Sequence, residues 1–158
     1  MKDKKKILEK RFSKLTSHYT ALTEYKQLID EMLKDENILT VEKFNFITPS
    51  QRAVFDAYLK RFASIQDFMG AKIFPLLLQL NGIYTTKMSE IIYHIEKEGI
   101  IDSLEQWVEL REIRNELEHD YPEELAEALK DLKYCIDHYA TLKLYYDNAL
   151  LFMKRFTA

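Results

Sequence analysis

Residues 7–33, ILEKRFSKLTSHYTALTEYKQLIDEML, decide the fold class. Within them Leu8, Phe12, Leu15, Tyr19, Leu22, Tyr25, Ile29 and Leu33 recur in steps of three and four. That spacing lines one face of an α-helix and no face of a strand. One long amphipathic helix is expected, and its apolar face needs partners. Further along, Thr48-Pro49-Ser50 offers a cap followed by a first-turn proline. After it Val54, Phe55, Tyr58, Leu59, Phe62, Ile65, Phe68 and Met69 keep helical spacing, predicting a second long helix that kinks near Gly70 and Pro75 and stops at Asn81-Gly82. The stretch from Asp35 to Pro49 lacks the period and reads as a connection.

The second half repeats the pattern. A third helix fits Thr86 to Glu98, with Met88, Ile91, Ile92 and Ile95 inward and Gly99 as its stop. Ser103-Leu104-Glu105-Gln106 has the form of a capping box, so a fourth helix starts there. Pro122, with Glu123 and Glu124 behind it, opens a last helix reaching about Phe156. Its stripe is Leu125, Leu129, Leu132, Ile136, Tyr139, Leu142, Tyr146 and Leu150. The expectation is an all-α, up-and-down antiparallel bundle of four long helices and one shorter helix. We expect one domain over residues 1–158, with residues 1–48 as a basic N-terminal helix and connection and 49–157 as the bundle proper.

Composition agrees: three glycines and three prolines in 158 residues leave little punctuation, which favours long helices over a sheet. The single cysteine, Cys135, cannot close an intramolecular disulfide, and no signal peptide or membrane-spanning run is evident, so a cytoplasmic location is expected. The longest apolar stretch, Ile73 to Leu80, contains Pro75 and Gln79 and falls short of the roughly 20 residues a bilayer requires. A net charge of −3 argues against a protein that coats nucleic acid with a uniformly basic surface. Basic residues do gather at Lys2, Lys4, Lys5, Lys6, Lys10, Arg11 and Lys14, and the ordinary reading of such a run is a solvated helix start.

The chemistry concentrates in residues 114–121, RNELEHDY. On the fourth helix Trp107, Leu110, Ile113 and Leu117 define an apolar arc, and Arg114 falls inside it. A buried unpaired guanidinium is costly, so Arg114 must find an acid, snorkel to an edge, or face a cleft built for an anion. An arginine fork matches phosphate oxygens and could clamp charge developing on a scissile phosphodiester. His119 follows at a helix junction, where an imidazole titrating near neutrality can take a proton from a ribose 2′-hydroxyl or give one to a leaving oxygen. Asn115 could hold the phosphate or the imidazole. Asp67, among apolar positions of the second helix, could pair with Arg114 or orient His119, or could be an ordinary surface acid. No metal or other cofactor is expected to take part.

The spacing Arg-x4-His-x-Tyr, within residues 110–122 (LREIRNELEHDYP), resembles the motif helix of the HEPN ribonuclease family in its HepT toxin branch, and residues 61–68 (RFASIQDF) resemble an upstream helix of such chains. The likeness spans about Ser50 to Leu150. It implies a helical bundle, a homodimer whose two motifs form a composite RNA-cleaving site, and a metal-independent endoribonuclease acting as the toxin of a toxin–antitoxin pair. It also implies a nucleotidyltransferase partner, the MNT antitoxin, that transfers AMP to the motif tyrosine, Tyr121 here. The alternative view of Tyr121 is a junction residue packing near Pro122.

Two other readings stay open. His94, His119-Asp120 and Asp137 resemble the ligand order of HD-type metal phosphohydrolases, at shorter intervals and with Arg114 and Tyr121 left idle. A non-catalytic subunit that binds a nucleotidyltransferase would use the same Arg114, His119 and Tyr121. The chain contains no Gly-rich phosphate loop, metal-type cysteine cluster or serine nucleophile motif, so ATP hydrolysis, zinc binding and acyl transfer have no support.

Overall fold

The stripe in residues 7–33 forms one helix, α1 (Lys2–Lys34), with Leu8, Phe12, Leu15, Leu22 and Ile29 buried and Tyr19, Tyr25 and Leu33 packed at its edges. The computed structural model describes residues 2–120 and 124–157, and at 119 and 120 the backbone alone. All regular structure among them is helical, a bundle built as α1, α2 (Val41–Phe44), α3 (Pro49–Phe68), a π-helical segment (Met69–Ile73), α4 (Phe74–Leu80), α5 (Met88–Lys97), α6 (Leu104–Asp120), α7 (Leu125–Asp137) and α8 (Tyr139–Thr157). A single core cluster joins residues from Leu8 to Met153. No described helix is long and apolar enough to cross a membrane.

Local chemistry explains most boundaries. Thr48 Oγ1 accepts from the Gln51 amide and Gln51 returns the bond to the Thr48 amide, a full capping box ahead of Pro49. The expected kink takes the form of a π-helical turn. Pro75 can donate no backbone bond and crowds the carbonyl one turn earlier, and the preceding turn widens so that the Phe74 amide reaches the Met69 carbonyl. Gly82 and Gly99 close α4 and α5 at positive φ, +81° and +75°, which no β-carbon disfavours there.

Four expectations need correction. The connection carries a one-turn helix, α2, capped by Thr40 and pinned by buried Phe44. Met88 begins α5 at its edge, 37% exposed with its thioether beside Gly70, while Ile91, Ile92 and Ile95 are buried. The capping box at Ser103 is only half formed. The Ser103 hydroxyl accepts from the Gln106 amide, but the Gln106 side chain donates to the Tyr134 hydroxyl at 2.7 Å, and Glu96 takes the Leu104 amide. The last helix is two helices parted at His138, whose Nδ1–H donates to the Tyr134 carbonyl at 2.8 Å while its ring stacks on Tyr134. The break lets α7 pack on α6 and α8 pack on α1 and α4.

α3 positions the candidate site. Its contacts with α1 pair Lys14 with Phe68 and His18 with Arg61, so the two helices run antiparallel. Gln66 and Asp67, next to Phe68, turn instead toward α6.

Candidate functional site

Arg114 lies on the inward face of α6, 6% exposed, as its place in the apolar arc requires. Its guanidinium is held from α3. Nε donates to Gln66 Oε1 at 2.9 Å, one terminal nitrogen donates to and pairs with Asp67 Oδ1, and the other reaches Asn115 Oδ1 at 3.3 Å. Gln66, 1% exposed, donates in turn to the Trp107 carbonyl at 2.9 Å, about two helical turns back along α6. Of the outcomes open to a misplaced arginine, this is an acid partner combined with a cleft. The charge is dissolved in a satisfied network, the condition for burying one.

The same side chain lines a cavity of about 440 Å³ between α3, α6 and α7. Phe44, Phe55, Leu59, Leu117, Leu129 and Leu132 form its apolar wall. Lys60 and Arg114 are its cations, and Asp56, Asp67 and Glu118 its carboxylates. Partial burial raises the Asp56 carboxyl from its ordinary value, against the opposing pull of Arg52. Cys135 is buried and its thiol is pushed up to about 12 by burial, with Asp131 adding to the shift and the Arg114 charge opposing it.

The predicted residues divide by location. Arg114, Asn115 and Asp67 come together as described, with Asp67 64% exposed at the outer end of the network. His119 belongs to the last turn of α6, which keeps helical backbone through Asp120; five residues after Arg114, its Cα sits ~140° further round the helix. The His119 side chain and all of Tyr121 lie outside the described residues. In the metal scheme His94 lies on α5 and Asp137 accepts from Lys133 at 2.7 Å. Among the described residues no three histidines, cysteines and carboxylates are grouped to hold a metal ion.

Sequence reasoning passed over Gln66, which organises the site. The signal was present: Gln66 stands four residues after Phe62 and three before Met69, a polar residue inside the apolar stripe of α3.

Fold and side chains define a class: an all-helical bundle with a buried glutamine–arginine–aspartate network on the wall of a mixed apolar and charged cavity. No protein-family model, curated protein or solved structure matches the chain.

Proposed function

We propose that the chain is a HEPN-type toxin of the HepT kind, a metal-independent endoribonuclease whose HEPN-like bundle dimerises to complete its site. The observation that carries this is Arg114, buried, oriented by Gln66 and Asp67, facing a cavity, and followed five residues later by His119 at the end of α6. In the reaction His119 takes the proton of a ribose 2′-hydroxyl as that oxygen attacks phosphorus. The bond from phosphorus to the 5′-oxygen breaks, and the departing oxygen takes a proton from an imidazolium, a role His119 of a second copy would fill. The products are a 2′,3′-cyclic phosphate and a 5′-hydroxyl. Arg114 would stabilise the added negative charge on the phosphoryl oxygens, and Asp67 and Gln66 hold its fork in place. A nucleotidyltransferase antitoxin would silence the site by placing AMP on Tyr121, adding an anion where RNA phosphate must bind.

The experiment is incubation of purified protein with tRNA, with and without a chelator. Cleavage that survives chelation and disappears in His119→Ala supports the reading. Identical products from wild type and His119→Ala sink it, and loss on chelation transfers support to the HD-type phosphohydrolase. A second reading has its own observation: Arg114 is already paired with Asp67 in a cavity holding more acids than cations. That suits a non-catalytic subunit that docks a nucleotidyltransferase. Intact-mass analysis after co-expression with the neighbouring gene tests the partner, since an AMP increment on Tyr121 would identify it.

A further inference from the structure

The cavity wall has a consequence for any polyanionic substrate. With Asp56, Asp67 and Glu118 set against Lys60 and Arg114, the cavity offers a phosphate chain no net attraction. Attraction must come from elsewhere on the molecule. The α1–α3 face has the required character. Arg11, Lys14 and His18 follow one another along α1 at spacings that keep them on neighbouring rows of one surface. Across from them Arg61 donates to His18 Nδ1 at 2.7 Å, Lys14 lies 5.5 Å from the Phe68 ring centre, and Arg11 donates to the Lys72 carbonyl at 2.9 Å. His18 packs against Phe68 with ring centres 6.4 Å apart.

Among the described residues these cations form no ion pair with an acid. The ion pairs among those residues are Lys26–Asp30, Lys43–Glu36, Arg114–Asp67 and Lys133–Asp137. The imidazole registers the imbalance: burial and then the charges of Arg61 and Lys14 lower its proton affinity, and no carboxylate offsets them. On α3, Arg61 and Phe68 lie ~100° from Lys60 and Asp67, so the basic face and the cavity occupy adjacent sides of one helix.

We propose that Arg11, Lys14, His18, Arg61 and Lys72, gathered about Phe68, form an RNA-binding face that grips the phosphates of a single strand and holds it beside the Arg114 cavity. RNA is favoured over an acidic protein because the cations follow one another along the α1–α3 groove, one side of α3 away from the cavity. A chain of evenly repeated phosphates suits such a row. This choice of ligand rests on the ribonuclease reading.

The test separates binding from cleavage by using a fluorescent 2′-O-methyl oligonucleotide, which cannot supply the nucleophile. Anisotropy titrations across a salt series should give binding that weakens as salt rises. In Lys14→Gln/Arg61→Gln the slope of log K against log salt should become shallower by about 1.4, two phosphate contacts at about 0.7 each. Lys14→Arg/Arg61→Lys should restore it. Circular dichroism checks folding, and the exposed Lys72→Gln, expected to shift the slope by about 0.7, serves if the double variant does not fold. Unchanged slopes overturn the proposal, as does absence of binding or equal competition by polyglutamate of matched charge. Binding without cleavage of ordinary RNA removes the ribonuclease reading and leaves the face standing. Cleavage with unaltered binding in the charge variants removes only the face.

Discussion

Replacing Gln66 with leucine, alone and together with Arg114→Met, tests whether the buried network is a single unit. The side chain of Gln66 serves Arg114 Nε at 2.9 Å and the Trp107 carbonyl at 2.9 Å. The carbonyl belongs to helix α6 and keeps its backbone partner, so the main loss in Gln66→Leu is an acceptor for a buried guanidinium. A hydrogen bond to a charged group is worth about 1.5–3 kcal/mol. Arg114→Met instead strands the buried Gln66 oxygen, costing about 1–3 kcal/mol. Its lost pair with Asp67 adds little, because an ion pair whose acid is mostly in solvent contributes about 0–1 kcal/mol. If the sites were independent, the double variant would lose the sum. Because each substitution removes the same bond, the double variant should lose about as much as the costlier single one, a coupling of about 1–3 kcal/mol. Urea unfolding of the four proteins, with unchanged m-values, measures this. Additivity within about 0.5 kcal/mol would refute the network.

Two further outcomes concern other parts of the bundle. The folded imidazole of His18 titrates below its ordinary 6.5 because burial, Arg61 and Lys14 disfavour its charge. Its stability contribution is therefore complete above about pH 6.5 and shrinks as pH falls below that, where the unfolded chain takes up the proton first. Melting temperatures from pH 7.5 down to 5.5 should fall less steeply in His18→Gln than in wild type, and equal slopes would refute the assignment. Thr48→Ala removes the cap of α3 and should cost about 1 kcal/mol. Thermal unfolding should drop by about 2–4 °C, whereas Thr48→Ser should hold near wild type; an alanine variant as stable as wild type counts against the cap.

What was legible in the chain was whatever depends on neighbours in sequence. The stripe of α1, the cap at Thr48, the glycine stops at Gly82 and Gly99 and the inward placement of Arg114 all follow from local spacing. What escaped depends on partners far along the chain. Gln106 matches a capping box, but the Tyr134 hydroxyl, 28 residues away, takes its amide. The break at His138, where the imidazole bonds back to the Tyr134 carbonyl, falls within a continuous apolar stripe, where periodicity gives no warning. Gln66 looked like one polar residue in a helix, and its role emerges only when α6 lies against it. For the candidate site, an acid partner, an edge and a cleft were all open to Arg114, and packing selected an acid, Asp67, together with the cleft.

The net charge of −3 describes the chain on the wrong length scale for deciding whether it meets a polyanion. At physiological ionic strength charges in solvent are felt over about 8 Å, so a ligand meets the charges of the surface beside it and not the sum over the chain. The cations along the α1–α3 groove and the acids lining the cavity are thus two distinct groups, set on adjacent sides of α3. A buried arginine already bonded to Gln66 and Asp67 is a poor collector of ligand, because drawing in an anion means competing with partners in place. It is a good stabiliser of charge that appears only during reaction, since its orientation is set beforehand and costs nothing then. Capture by one face and charge stabilisation by the next is thus an arrangement an acidic helical bundle can sustain, and it requires α3 to stay rigid between them. Full burial of Tyr58, Phe62 and Ile65 along that helix supplies the rigidity.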